Sequence, residues 1–592
     1  MGKKVLYSMA LASVLMLGAC SSNSDLDGSN NNKDAAKTSY ISVNINNVGA
    51  APTGRASYDV GGGTYEDGVG IENAINKVRF YFFNADGTPY LLNNAGKAEA
   101  VNYMDVNFGK AGDDHDHTAE TVTNTMLILN GESSLAPASM LAVVNPDAAG
   151  VKAGVPGDLL GEQSQRFSIL RTSRQGSNWS DKNGFVMSNS VYKEAGVDVC
   201  STQLGGRLYT NADDATKNPI DVYVERVLAK VTANANKDNG NWSQVNESTY
   251  KDTWKIKVGT LKLSQEEGGS KTVDVYAWIQ GWGIADANGN AELCKQIKVA
   301  DWTDATLGIK PWSSPDYHRC FWSNSSVVNN QNPLVNQNFN SYTNQFGSPM
   351  YAMPNTPDVP VVNPKTSKNN LTKVLVAAKL GYEDNGTWKA AEICEYKGQE
   401  FLGIDDVKKV LLKETGKYYV KETQADGNTT YSSLKPENFE FVTSSSYNTG
   451  LKDYQVVAQL KGVAELYRVA DDMLADTDED RETQYTRVSA DEVNKELAQN
   501  PAEIRYDGDA YYYTPIQHLG TAGSLGEYGV VRNHSYQVTI DDIKGWGTPV
   551  FDPSKIIIPT IPSNDKSYLA AKVNVLSWRV VNSNVNLDQT KK

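Results

Sequence analysis

Cysteine and histidine are scarce, with five of each in 592 residues. The cysteines, Cys20, Cys200, Cys294, Cys320 and Cys394, lie far apart with no C-x-x-C pair, a spacing unsuited to a zinc site. If the chain is exported, one or two disulfides are open to the last four, and spacing does not choose their pairing. Basic residues are also short: 56 Lys and Arg stand against 70 Asp and Glu, a formal net charge of -14. Without clustered cations there is nothing to neutralise a phosphate backbone, so nucleic acid is not expected as a partner. Beyond the first twenty residues no run approaches the roughly 18 consecutive apolar side chains of a membrane helix. H-E-x-x-H, P-loop and dinucleotide fingerprints are missing as well.

Three weaker constellations come closest to site chemistry. Asp113, Asp114, His115, Asp116 and His117 are competent metal ligands, yet neighbours on a strand alternate faces, so only His115 and His117 would converge. A solvated loop accounts for them more simply. Asp476, Asp478, Asp480 and Glu482 suggest a calcium loop, but Arg481 stands where the sharp turn needs glycine and Arg487 where a bidentate Glu belongs. Ala522, Gly523, Ser524, Leu525 and Gly526 miss the G-x-S-x-G elbow at its first position, and no apolar strand leads straight into them. With that lead-in absent, His518 and His534 read as structural. The chain is therefore expected to be no enzyme and to hold no metal or cofactor. Its 31 Tyr and 11 Trp would suit a sugar-binding surface, and equally a β core.

What is present begins at the first residue. Lys3 and Lys4, an apolar run from Val5 to Leu17, and then Leu17, Gly18, Ala19 and Cys20 read as a secretory signal over 1–19 ending in a lipobox. Cys20 would carry the lipid. From Ser21 to about Lys37 the chain has almost nothing apolar to bury and reads as a tether. Ile41, Val43 and Ile45 then alternate with Ser42, Asn44 and Asn46, the period of a strand with one buried face. Pro52, Gly54 and Arg55, followed by Gly61 to Gly63 and Gly68, leave that strand isolated between flexible segments.

Short strands and turns dominate thereafter. Val78 to Phe83 runs into Asn84 to Gly87, and similar Asp-Gly or Asn-Gly punctuation recurs at 238–240, 286–289, 384–386, 426–427 and 507–508. Between these lie the strand patterns Val222 to Val231, Val273 to Ile279, Tyr511 to Ile516 and Ser535 to Ile540. The spacing predicts antiparallel β-sandwiches with few short helices, best at Asp405 to Leu412 and at Ala490 to Gln499 behind an N-capping Ser489. A boundary near residue 220 divides two domains, 56–220 and 221–592, the second decorated by long loops at 324–344 and 471–487.

Five stretches carry a resemblance. Arg532, Asn533, His534, Ser535 and Tyr536, then Val538, Ile540, Ile543, Gly545 and Gly547, resemble the R-N-H-x-Y strand and turn of Bacteroidales fimbrillins, the type V pilins. Tyr511 to His518 resembles their aromatic strand, and Val224 to Val231 their V-E-R-x-x-A-K-V strand. Gly63 to Gly68, and Val78 to Phe83 with Asp86-Gly87, resemble the opening of the mature subunit in the Porphyromonas-type minor (short) fimbria branch.

The resemblance implies two transthyretin-like sandwiches and a lipidated precursor carried to the outer membrane. It implies cleavage between Arg55 and Ala56 by an arginine-specific protease, loss of propeptide 20–55 with its strand, and capture of a neighbour's strand in the groove left behind. Head-to-tail identical subunits, anchor and tip accessory proteins, and host or bacterial receptors would be its partners, and adhesion and biofilm formation its outcome. The implied donor is the C-terminus, where Val573, Val575, Leu576, Trp578 and Val580 form apolar series of shifting parity, so two strand segments are expected. The alternative is that 571–588 closes its own domain. A monomeric, lipid-anchored, glycan-binding adhesin is the rival function.

Overall fold

The computed structural model describes residues 38–47, 64–65, 68, 70–93, 99–108, 123–131, 135–146, 163–172, 174–176, 179–181, 184–190, 192–194, 197–247, 250–264, 270–296, 322–323, 325, 334–364, 370–425, 427–463, 465–469, 485–560, 568–576 and 579–582. Among these the protein is all-β with a few short helices.

The first half is built on one eight-stranded sheet. In spatial order its strands are Tyr103–Asn107, Lys77–Phe83, Ser139–Val144, Met187–Asn189, Ile220–Arg226, Thr38–Asn47 and Thr123–Asn130, with Thr202–Gln203 beside Ser139–Val144. Apolar residues from these strands, among them Phe80, Phe82, Leu127, Leu141 and Val222, form the first core.

The second half is a sandwich. A six-stranded sheet runs Thr64–Tyr65, Arg579–Asn582, Tyr568–Leu576, Ser535–Lys544, Ala229–Ala235, Pro349–Ala352. A seven-stranded sheet is built on Trp242–Glu247, Tyr250–Ser264, Ser270–Ala285, Lys373–Asp384 and Asp509–Pro515. Period-two positions meet between the sheets: Ala229, Val231 and Ala233 or Tyr536, Val538 and Ile540 from one, Val275, Ala277, Val374 and Val376 from the other. Lys373–Asp384 is buried on its outer face too, where Leu375 and Ala377 pack with Phe339, Tyr342 and Ile557. The expected strands Val273 to Ile279 and Ser535 to Ile540 lie inside these elements, and Tyr511 to Ile516 overruns Asp509–Pro515 by one residue.

Two points depart from the expected plan. The pattern Val222 to Val231 is two strands, Ile220–Arg226 in the first sheet and Ala229–Ala235 in the six-stranded one. The crossover therefore sits at 227–228 rather than 220: Leu228 belongs to the first core and Ala229 to the second. Secondly, residues 394–504 hold a third core of their own, with Val407 and Leu411 from helix Ile404–Glu414, Val493 and Leu497 from helix Ala490–Leu497, and Tyr418, Phe439, Leu466 and Ile504 from short strands. Both helices fall where Asp405 to Leu412 and Ala490 to Gln499 were expected, and the Ser489 side chain accepts from the Glu492 amide as an N-cap. At 507–508, Asp507 (φ 52°) and Gly508 (φ 82°) make the predicted turn, and a Cβ on Gly508 would lie 2.3 Å from the Leu380 carbonyl oxygen.

Candidate assembly site

Thr38–Asn47 is the strand predicted from Ile41, Val43 and Ile45. It lies between two partners, antiparallel to Thr123–Asn130 from Thr38↔Asn130 to Ile45↔Thr123, and parallel to Ile220–Arg226 from Val43↔Ile220 to Asn47↔Val224. Among the described residues the latter is the one parallel pairing of this sheet. Alternation sends Ile41, Val43 and Ile45 inward, where all three are 0% exposed among Leu127, Leu129, Val222 and Val224. Tyr40 adds a reciprocal pair with Tyr209, the amide-to-carbonyl distances being 2.8 and 3.0 Å. Burying three such aliphatics contributes roughly 5 to 9 kcal/mol before chain entropy is counted. Taking the strand away would expose that apolar groove and the backbone groups that now face it on both neighbours.

Cys20, Arg55 and Ala56 lie outside the described residues, as do Asp113 to His117 and Asp476 to Glu482. The chain is described again at Thr64–Tyr65, which pairs with Arg579–Asn582 through Thr64↔Val580 and Tyr65↔Arg579.

The C-terminal segment lies in its own subunit's sheet. Tyr568–Leu576 pairs antiparallel with Ser535–Lys544, placing Val573 opposite Val538, Val575 opposite Tyr536 and Leu576 opposite Ser535. The two strand segments expected from the parity shift are present, Tyr568–Leu576 and Arg579–Asn582, and they pair with each other through Leu576↔Val580. Trp578 is outside the described residues.

Between groove and tail the two quoted motifs meet, a convergence that neither shows by itself in sequence. Glu225 and Arg226, at the end of the strand beside the groove, face Arg532 and Asn533, which lie just ahead of Ser535–Lys544, the strand that pairs with the tail. Arg532 Nε lies 3.0 Å from Glu225 Oε1, Lys295 donates to Glu225 Oε2 at 2.9 Å, and all three side chains are at most 2% exposed. Arg532 also donates to the Leu293 carbonyl (2.8 Å) and to Ser188 Oγ (2.8 Å). Arg226 donates to the Glu72 carbonyl (2.6 Å) and to Asn533 Oδ1 (3.2 Å). Tyr536 Oη lies 2.9 Å from His518 Nδ1 and accepts from the Val531 amide at 2.8 Å. The polar run of 532–536 is thus a buried network, and the His518 ring is engaged with Tyr536 rather than with Ser524.

Among the described residues no group of three or more His, Cys, Asp and Glu is placed to hold a metal. Cys294 and Cys394 are buried free thiols, and burial pushes the Cys294 thiol up to about 12, where it is a poor nucleophile. Cys200 Sγ lies 3.4 Å from the Lys295 carbonyl oxygen, and Cys320 is outside the described residues. No helix of the described residues is long and apolar enough to cross a membrane.

The described residues thus form an all-β protein with a buried polar network between its sheets. Residues 505–584 match the family described as major fimbrial subunit protein type IV, fimbrillin, C-terminal, so the likeness lies in the C-terminal part of the chain. The matched stretch contains the polar network of 532–536 and the strands from Asp509 to Asn582. Similar solved structures include a fimbrilin, FimA, from Porphyromonas gingivalis W83, at 11% identity and TM-score 0.33 over 92% of this chain and 98% of that one. The tip fimbrial protein Mfa3 from Porphyromonas gingivalis aligns at 10% identity and TM-score 0.26, over 90% of this chain and 99% of that one. A fimbrial assembly protein from Parabacteroides distasonis aligns at 10% and 0.26, over 67% and 100%. A search of curated proteins finds no match.

Proposed function

We propose that this protein is a fimbrillin, a structural subunit of a cell-surface fimbria, made as a lipoprotein precursor, cut after Arg55 and polymerised head to tail by strand exchange. The observation that carries the reading is the placement of Thr38–Asn47. A strand whose three aliphatic side chains are fully buried is joined to the rest of the protein through 48–63, the stretch that holds Arg55. Cleavage there would free the strand and leave a groove floored by Ile220–Arg226 and Thr123–Asn130, a ready acceptor for an extended segment. The tail from Tyr568 to Asn582, with Val573, Val575, Leu576, Trp578 and Val580, is the proposed donor. Lipid on Cys20 would hold the precursor at the outer membrane and leave with residues 20–55. Anchor and tip proteins, surface receptors, adhesion and biofilm formation follow from the same reading.

The test is Arg55→Ala in the producing cell. The reading expects a full-length lipidated precursor and loss of sheared filaments, whereas wild-type filaments should begin at Ala56 on N-terminal sequencing. Normal filaments from the variant would overturn it.

A further inference from the structure

The passage between the two halves of the protein has no linker. Leu228 packs in the first core and Ala229 in the second, while on the return Val530 packs in the second and Val531 in the first. A third segment crosses as well: Asn290–Glu292 pairs with Arg174–Gly176, and Ala291, Leu293 and Cys294 enter the first core although Ser270–Ala285, a few residues earlier, belongs to the sandwich. The crossings are tied to one another. The Asn533 amide donates to the Leu228 carbonyl (3.0 Å) and the Lys230 amide to the His534 carbonyl (2.9 Å).

Charged side chains fill the seam. Glu225 stands between Arg532 and Lys295, as described above, and each of the three comes from a different crossing. Beside them Lys230 Nζ lies 3.1 Å from Glu72, which also accepts from the Tyr351 hydroxyl at 2.5 Å. A buried arginine, lysine and glutamate whose surroundings supply further hydrogen bonds tolerate little displacement, because any opening leaves a charge desolvated and uncompensated. Inter-domain motion is the ordinary expectation for linked domains, and this seam is built against it.

We infer that the seam locks the first sheet and the sandwich into one rigid body, with Glu225, Lys295 and Arg532 as positioning residues that fix the Ile220–Arg226 strand relative to the Ser535–Lys544 strand. On the proposed function, those are the strand that floors the acceptor groove and the strand that carries the donor tail. The triad thereby sets the angle between what a subunit receives and what it gives, so successive subunits stack with one repeat.

Both tests use the unpolymerised full-length protein, so they stand apart from cleavage and assembly. In the first, spin labels are placed through Asp213→Cys and Lys262→Cys, with Cys20 and Cys320 replaced by Ser. A narrow distance distribution is expected, roughly doubling in width when Glu225, Lys295 and Arg532 are all changed to Met. An equally narrow distribution in a folded triple variant overturns the proposal. In the second, hydrogen exchange of the wild-type Lys230 and Asn533 amides should require the same opening as the strand Lys373–Asp384. Exchange through an easier opening of the seam overturns it even if the triple variant does not fold.

Discussion

At the scale of single residues, the ionised groups of the first sheet show what acid should do. Arg79 is 5% exposed and makes a two-pronged contact with Asp105, Nε to Oδ1 at 2.7 Å and Nη2 to Oδ2 at 2.9 Å, while its guanidinium lies 4.0 Å from the Tyr103 ring centroid. Lys77 adds a contact of 3.2 Å. Burial raises the Asp105 carboxyl, but the hydrogen bonds and charges of Arg79 and Lys77 outweigh it and hold the group below the usual carboxylate range. A folded-state value below the unfolded one means the pair stabilises the protein above the ordinary carboxylate pKa, about 3.9, and ceases to do so as pH falls through the folded value. Asp105→Asn should therefore cost about 2 kcal/mol at neutral pH by leaving Arg79 without its anion. Thermal melts taken downward from about pH 5 should bring wild type and variant together. Parallel curves would show that the pair contributes nothing. The pairing was not legible in sequence, since Arg79 and Asp105 meet only through the register of two strands 26 positions apart.

Single elements divide into those that local pattern specifies and those whose partner it leaves open. Ile41, Val43 and Ile45 announced a half-buried strand, and the helices at Ile404–Glu414 and, behind its capping Ser489, Ala490–Leu497 fall where the sequence placed them. No local signal says that Thr38–Asn47 runs parallel to Ile220–Arg226, because a strand's own alternation fixes its faces and not its neighbour. The split at 227–228 was hidden for the same kind of reason. Val224 to Val231 is apolar enough to read as one strand, and only the change of core between Leu228 and Ala229 divides it. Val43→Asp tests what the first strand does. An unpaired carboxylate at a fully buried position should destabilise the full-length protein by roughly 3 kcal/mol or more in urea unfolding. The same protein cleaved at Arg55 and stripped of residues 1–55 should unfold like its wild-type counterpart, because the altered residue has gone. A persistent deficit after cleavage would mean that the strand stays bound.

At the scale of the whole molecule, the described residues form three large cores along one chain, and the third was the least visible beforehand. Its elements are short strands and two modest helices drawn from 394–504, and its apolar residues, such as Val407, Leu411, Leu466 and Val493, are far apart in sequence and meet where the strands Ile393–Tyr396 and Ala502–Ile504 pair. The tail poses the reverse problem, a segment easy to see whose placement decides its role. Tyr568–Leu576 sits within its own sheet and contributes Leu569 and Ala571 to the second core, whereas Arg579–Asn582 touches only Tyr568–Leu576 and the short Thr64–Tyr65 strand within that sheet. Removing residues 577–592 should therefore leave the sandwich folded, with a melting temperature lower by no more than about 4 °C, while abolishing the outermost pairings. If the tail is the donor, this truncated protein, still cleavable at Arg55, should accumulate as monomers or short oligomers in electron micrographs. Filaments of ordinary length would return 577–592 to the role of closing strands in their own domain, and the donor would have to lie elsewhere in the chain.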